Sequence, residues 1–393
     1  MKIYLIGCGC GEASLTRQAE EAIRQSSLLI GSARMLEQFG KGKKWVESVK
    51  PEEINRILNE QKSDVASVLF SGDSGFYSGA SLLLPLLEGA EVTVLPGISS
   101  LQLFAAKLGL PWQDWRLCSA HGRHCDPVRE VCRGKSVFFL TGGDKTPDRL
   151  CSKLCEAGLS ELPVAIGEDL GTAKERVNRG IAKDYVNSNF SPLSVMLADC
   201  APNREPCCPG LPDDRFERIE GIPMTKREVR AMILSLLSPK ENSVCWDIGS
   251  GTGSVAIELA LHAGAVYAVE QREDAVLLAE ENRKKLGAWN LRLMQGHAPE
   301  ALQDLPKADA VFVGGTGGET REILRVIRER CPRAAVCVSA VTLETLNTAT
   351  EALETFRYAT EILQLSATRS RLVGKSHMMT AQNPIWLIAG KPL

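Results

Sequence analysis

The 393-residue sequence predicts two α/β modules in tandem. Three features point there. Short apolar runs alternate with helical patterns in both halves, which implies strands laid mainly parallel with helices across their faces. One segment, Val244-Cys-Trp-Asp-Ile-Gly-Ser-Gly-Thr-Gly253, runs from an apolar strand through an acid and alternating glycines into a helix. Between the halves, residues 201–214 hold four prolines and no apolar periodicity, the composition of an exposed connection.

In the first half the candidate strands are Lys2–Gly7, Leu28–Gly31, Val65–Phe70, Glu91–Leu95, Lys135–Leu140, Pro163–Gly167 and Leu193–Ala198. Leu15, Ala19, Ala22 and Ile23 share one face of a helix between the first two. The turn Gly109-Leu-Pro-Trp-Gln-Asp114 splits residues 1–203 into lobes of 1–112 and 113–203. Residues 204–215 are expected to link the modules. In the second module, 216–393, the candidate strands are Val244–Ile248, Val266–Glu270, Leu291–Met294, Ala310–Val313, Ala335–Ser339, Glu361–Leu365 and Pro384–Gly390. Helices are expected between the first five. The last two lack a helix between them and should pair antiparallel at the edge of a seven-stranded sheet.

Hydrophobic residues make up 44% and charged residues 24%, an ordinary globular balance. A net charge of −2 gives no bulk attraction to nucleic acid or an anionic membrane. No apolar run approaches the ~20 residues needed to cross a bilayer. The chain enters a strand at once, without a signal-peptide pattern, so a cytoplasmic protein is expected. The 13 cysteines do not read as a disulfide framework. Cys151, Cys155, Cys245 and Cys337 fall in core elements as small hydrophobes. Cys8-x-Cys10 reads as small residues filling a tight turn. Cys118-x-x-His121-x-x-His124-Cys125 gathers soft ligands, but zinc sites pair ligands from two places and no second pair follows. No metal is expected.

The glycines of Gly249-Ser250-Gly251-Thr252-Gly253 permit positive φ and a close backbone approach to a ligand. Glu270, ending the next strand, suits a ribose diol. A dinucleotide site wants G-x-G-x-x-G with a pyrophosphate on the helix N-terminus. Here the spacing is G-x-G-x-G behind Asp247, an acid that repels pyrophosphate and attracts the cationic S-adenosylmethionine. Adenosylmethionine is therefore expected, with NAD(P) and a ligand-free tight turn as the alternatives. Gly296-His-Ala298-Pro follows the third strand, where adenine is usually contacted. Val313-Gly-Gly-Thr-Gly-Gly318 follows the fourth, in place of the Asn/Asp-Pro-Pro-aromatic grip of amine methylases. It is expected to form an anion nest for carboxylates, a flexible loop being the alternative. Two basic segments, Met224–Arg230 and Arg369-x-Arg371-x-x-x-Lys375-x-His377, are expected to flank the same mouth.

With these residues in view, 216–393 resembles the decarboxylating methyltransferases of cobalamin biosynthesis. The carriers are Pro223–Arg230, the Asp247–Gly253 loop, Glu270-Gln271, Ala298-Pro299 and the Gly314–Gly318 run. Residues 1–200 resemble the tetrapyrrole methylases. There the carriers are Gly7-x-Gly9-x-Gly11, Ser71-Gly-Asp-Ser-Gly-Phe76, Leu95-Pro-Gly-Ile-Ser-Ser100, Ser119-Ala-His-Gly-Arg123, Leu140-Thr-Gly-Gly143 and Ser191-Pro-Leu193. Cys10 stands where that family has proline. The resemblance covers nearly the whole chain and implies a two-lobed methylase fold followed by a Rossmann-like class I methyltransferase, with one adenosylmethionine site in each.

The resemblance implies cofactor contacts from Thr225, Asp247, Gly249, Ser250, Gly251, Thr252, Gly253, Glu270, Gln271 and Ala298 in the second module. In the first it implies Asp73, Gly75, Phe76, Pro96, Gly97, Ser99, Ser100, Thr141 and Gly142. Gly9, His121, Arg123, Gly314, Gly315, Gly317, Arg369 and Arg371 are expected at the substrate. The implied chemistry is methylation of ring carbons 5 and 15 of a polycarboxylate tetrapyrrole, with loss of carbon dioxide from an acetate arm. The nucleophile is an electron-rich ring carbon, and no general base is singled out. The rival expectations are RNA or DNA methylation and a non-catalytic tetrapyrrole carrier. A homo-oligomer that binds neither nucleic acid nor membrane is expected.

Overall fold

The computed structural model describes residues 1–61, 63–120, 125–204 and 208–393. The chain forms two compact units, with the break in the main chain between Cys200 and Ala201. Among the described residues, no helix is long and apolar enough to cross a membrane.

The first unit holds two five-stranded sheets. β1 (Lys2–Gly7), β2 (Leu28–Gly31), β3 (Lys44–Glu47), β4 (Val65–Phe70) and β5 (Glu91–Leu95) run parallel in the order β3-β2-β4-β1-β5. A parallel sheet with helices on both faces needs strands apolar on both sides. β1 meets that need by alternation. Ile3 and Leu5 pack with Ile54, Ile57 and Leu58 of the helix Pro51–Gln61. Tyr4 and Ile6 pack with Ala19, Ala22 and Ile23 of Arg17–Gln25. Thr16 caps the latter helix by accepting the Ala19 N–H at 3.2 Å.

After the helix Ser100–Leu108, Gly109 turns the chain at φ 69° into the second sheet. β6 (Arg116–Ser119), β7 (Val137–Leu140), β8 (Pro163–Glu168), β9 (Arg176–Ile181) and β10 (Ser194–Ala198) lie in the order β6-β7-β10-β8-β9. Only β6 and β7 are parallel, so the expectation of mainly parallel sheets fails for this lobe.

In the second unit, β11 (Val244–Ile248), β12 (Ala265–Glu270), β13 (Leu291–Gln295), β14 (Ala310–Val313) and β15 (Ala335–Ala340) are parallel. β16 (Tyr358–Leu365) lies at one edge. β17 (Thr368–Val373) and β18 (Ser376–Ala381) form a separate hairpin before β19 (Ile385–Pro392) returns to the sheet. The order is β13-β12-β11-β14-β15-β19-β16, with β19 antiparallel to both neighbours. The seven strands and the antiparallel closing pair are as expected. The helix expected between the third and fourth strands is a single 3-10 turn, Glu300–Leu302.

The connection is less exposed than its prolines suggest. Leu211 and Asp213 are buried. The Glu258 carboxylate accepts the Gly210 and Leu211 N–H groups at 2.7 and 3.1 Å. Arg230, expected at a basic mouth, is instead fully buried. Its Nε donates to Glu258 at 2.5 Å and one Nη to Asp213 at 2.9 Å, and it also serves the Thr225 and Leu211 carbonyls. A charge can sit there only because acids and carbonyls surround it.

Candidate functional site

In the second unit the site forms at the carboxyl ends of β11–β14. Gly249, Gly251 and Gly253 all take positive φ, at 74°, 53° and 75°. The crowding around them is protein rather than ligand space. A Cβ on Gly249 would meet the Gly315 nitrogen at 2.5 Å, and one on Gly253 would meet the Ala279 Cβ at 2.9 Å. The alternating glycines thus let two loops and two helices touch. The Glu270 carboxylate ties this loop down, accepting the Gly251 N–H at 2.9 Å and the Arg272 N–H at 3.0 Å. A carboxylate has about four lone-pair positions, so acceptor capacity is left for a ligand.

An open cleft of about 260 Å³ lies over this floor. Gly249, Gly251, Glu270, Gln271 and Ala298 line it, as do Gly315 and Gly317. The sequence reading missed Pro223, Arg272, His297 and Thr316, which share the lining. His297 stands between two acids, 3.1 Å from Glu300 and 3.5 Å from Glu319. Its signal was its place inside the Gly296-His-Ala298-Pro motif.

Asp247, Ser250 and Thr252 sit behind the cleft wall, all buried. Among the described residues the Ser250 and Thr252 hydroxyls have no hydrogen-bond partner, and Asp247 has only the backbone N–H of Ala256 facing it, outside good hydrogen-bond geometry. Burial, with the Glu270 charge adding, pushes the Asp247 carboxyl up to about 7. A carboxyl raised in the folded state holds a proton that the unfolded chain has lost. Its contribution is therefore intact below about pH 4 and declines as pH rises toward about 7. Asp247→Asn should abolish that decline, measured as the difference in unfolding midpoint between variant and parent across the interval. Parallel profiles would contradict the assignment.

The basic segments do not converge on the cleft. Thr225 spends its carbonyl on Arg230. Arg369 and Arg371 lie on β17 in the free hairpin. Arg369 is bound by both oxygens of Glu228, at 2.8 and 2.6 Å, and by Asp213 at 3.2 Å. It is therefore neutralised rather than open to a substrate carboxylate, and Arg371 is exposed to solvent. The nest is smaller than expected, because the Gly314 and Gly315 N–H groups both point to the Ile248 carbonyl.

In the first unit the cleft, about 290 Å³, opens at the carboxyl ends of β1, β4 and β5, and the second sheet supplies its other wall. Asp73, Phe76, Ser99, Ser100 and Thr141 line it. Asp73 joins two loops, accepting the Gly75 N–H at 2.9 Å and the Gly97 N–H at 3.0 Å. Gly75, Pro96, Gly97 and Gly142 support the wall without lining it. Gly97 is pressed between carbonyls, where a Cβ would collide with the Gly72 and Gly7 oxygens. Gly9 forms a backbone bridge with Gly72 beneath the cleft. Cys10 lines it, and its N–H donates to Ser14 Oγ at 2.8 Å, a bond proline could not make. Arg34, Tyr77, Asp169 and Thr172 were missed. Arg34 follows Gly31-Ser-Ala, where the sequence offered no acid for a ribose. His121 and Arg123 fall outside the described residues.

Comparison with known proteins follows the same division. Residues 2–185 match the family of tetrapyrrole (corrin/porphyrin) methylases, and residues 215–390 match the precorrin methyltransferase domain. A precorrin-6Y C(5,15)-methyltransferase (decarboxylating) of a Sinorhizobium species is 34% identical over 330 residues, 81% of this chain and 79% of that one. The chain belongs to the precorrin-6Y C(5,15)-methyltransferase (decarboxylating) family. A probable cobalt-precorrin-6B C(15)-methyltransferase (decarboxylating) of Pyrobaculum calidifontis is 44% identical over 184 residues, 46% of this chain and 94% of that one. A crystal structure of precorrin-6Y C5,15-methyltransferase from Geobacter metallireducens GS-15 aligns with 47% of this chain and 98% of its own, at 35% identity and a TM-score of 0.45.

Membership in a methyltransferase family implies adenosylmethionine as methyl donor, and the second unit's residues suit it. The buried Asp247, Ser250 and Thr252 supply polar atoms behind the wall, and the Glu270 carboxylate supplies negative charge and spare acceptor capacity at the floor. That environment attracts a cation and repels a pyrophosphate.

Proposed function

We propose that this family member carries one adenosylmethionine site per unit and acts twice on one tetrapyrrole. The first unit would methylate carbon 5 of a precorrin or cobalt-precorrin. The second would methylate carbon 15 and release carbon dioxide from an acetate arm. The reading rests chiefly on the two separate clefts, each at the carboxyl ends of parallel strands, where α/β sheets bind ligands.

Bound adenosylmethionine supplies an electrophilic methyl group on a sulfonium. The chain then has to hold, orient and exclude water, and such positioning contributes about 7–11 kcal/mol. Glu270 would take the ribose hydroxyls, and Asp247, ionised by the approach of a sulfonium, would favour the cationic end. In the first unit, Asp73 and Thr141 would shape the pocket through their loops, with Arg34 at its mouth. The other assigned residues keep their proposed cofactor or substrate roles. Arg371, His121 and Arg123 remain substrate candidates, and Arg369 would reach substrate only by leaving Glu228.

Titration calorimetry of the full chain with adenosylmethionine should fit two sites. Glu270→Ala should remove one, and Asp73→Ala the other. With precorrin-6Y, Glu270→Ala should give a product carrying one new methyl group by mass spectrometry. A single site in the parent protein, or a doubly methylated product from Glu270→Ala, would refute this reading. We further propose a cytoplasmic homo-oligomer that does not bind nucleic acid. Exposed Leu372, Val373, Met378 and Met379 on the free hairpin support self-association, which light scattering would measure.

A further inference from the structure

Cys118 sits on β6 and Cys125 lies a short way along the chain. Their sulfurs are 2.9 Å apart. Even carbon atoms, which are smaller, rest no closer than roughly 3.5–4.0 Å when not bonded. Cys125 is buried, whereas Cys118 is half-buried and reachable from solvent.

The pair differs from the buried core thiols. Cys8, Cys151, Cys245 and Cys337 are pushed up to about 12 by burial, which keeps them protonated and inert. Cys118 is shifted down. The hydrogen bond between the two sulfurs, which either can donate, favours its thiolate, and Arg116 and Lys145 add to this against burial and Glu130. Cys125 is shifted up by the same bond and by burial. The half-buried Cys118 is thus the sulfur that a small disulfide can reach, with the buried Cys125 in contact to complete the exchange. Among the described residues no metal-ligand cluster claims either sulfur.

We propose that Cys118 and Cys125 are a modification site, forming a reversible disulfide by exchange with a low-molecular-weight disulfide of the glutathione class. The Cys118 thiolate attacks one sulfur of oxidised glutathione; its S–S bond breaks and one glutathione thiolate leaves. Cys125 then gives up its proton and attacks Cys118 Sγ, releasing the second glutathione. The two protein thiols are oxidised and one glutathione disulfide is reduced to two thiols, so electrons and protons balance. The resulting disulfide joins the end of β6 to Cys125. It adjoins the first unit's cleft, because cleft-lining Tyr77 donates its hydroxyl to the Leu117 carbonyl at 3.1 Å.

The test is to treat the full chain with oxidised glutathione at neutral pH and map peptides by mass. A Cys118–Cys125 linkage lighter by two hydrogens, reversed by dithiothreitol, is expected. Cys118 should be oxidised ahead of exposed Cys200, because Cys125 alongside resolves its mixed disulfide at once. Cys125→Ser should trap glutathione on Cys118, and Cys118→Ser should leave Cys125 unmodified. Circular dichroism and an unchanged thermal unfolding profile of the full chain serve as a check that each variant is folded in both units. Three results would overturn the proposal: free thiols at 118 and 125 while Cys200 is glutathionylated, a linkage to another cysteine, or zinc in the purified protein occupying both sulfurs.

Discussion

Arg230→Met should destabilise the second unit by about 3–5 kcal/mol, the usual cost of removing one partner of a buried ion pair. The guanidinium lies inside the unit and touches Glu258, Asp213 and the Leu211 and Thr225 carbonyls. Methionine fills similar volume, so packing changes little. What remains is a pair of acids in an interior that disfavours their charge. Asp213 illustrates the dependence. Burial alone would raise its carboxyl, yet the Arg230 hydrogen bond and the charges of Arg230 and Arg369 hold it below the ordinary value. Adding Glu258→Gln to the methionine variant should recover part of the loss by removing one unpaired charge. Recovery should be incomplete, because Gly210 and Leu211 would share one carbonyl oxygen where two carboxylate oxygens now accept. Urea unfolding followed by tryptophan emission would report both values, since Trp246 is in this unit's core. A shift below about 1 kcal/mol for the single variant would mean that water enters to solvate the acids.

This network also shows where the sequence stopped being legible. Arg230 sits in a run of basic residues and Asp213 in a proline-rich stretch, and each alone suggests solvent exposure. Only the fold brings them within 2.9 Å. The central strands were legible because burial on both faces demands apolar runs, as in β1, β4, β11 and β14. The unpredicted strands β3, β6 and β9 are all sheet edges. β3 and β9, half or more exposed, carry Lys44, Glu47, Arg176 and Arg179, charges that suit an edge and hide the period-two pattern. The hairpin β17–β18 is almost wholly exposed, so no buried face marked it. At the site, motifs located the loops but not the division of labour within them. Asp73 and Glu270 both spend carboxylate oxygens on backbone N–H groups of their own loops. Arg34 belongs to its cleft through tertiary contacts that no short motif encodes, whereas His297 lies within the Gly296–Pro299 motif but gains its two acid neighbours only in the fold.

Gly249→Ala should abolish adenosylmethionine binding in the second unit while leaving the other site intact. Two costs add at this position. The residue sits at φ 74°, where an L side chain costs roughly 1–2 kcal/mol. The new methyl group would also meet the backbone nitrogen, oxygen and Cα of Gly315 at 2.5, 2.6 and 2.7 Å. A backbone cannot yield as a flexible side chain can, so the loops after β11 and β14 must separate. Both loops line the cleft, and their separation opens its floor. Gly374→Ala is the matched control. Its φ of 62° carries the same conformational cost, but it does not line the cleft and no described residue lies within 4 Å of its Cβ position. It should lower the unfolding midpoint slightly and keep two binding events in calorimetry, whereas Gly249→Ala should keep one. If both variants bind alike, positive φ alone explains the glycines. If only Gly249→Ala fails, the alternate-glycine pattern records contact between two loops, and the cofactor site depends on that contact.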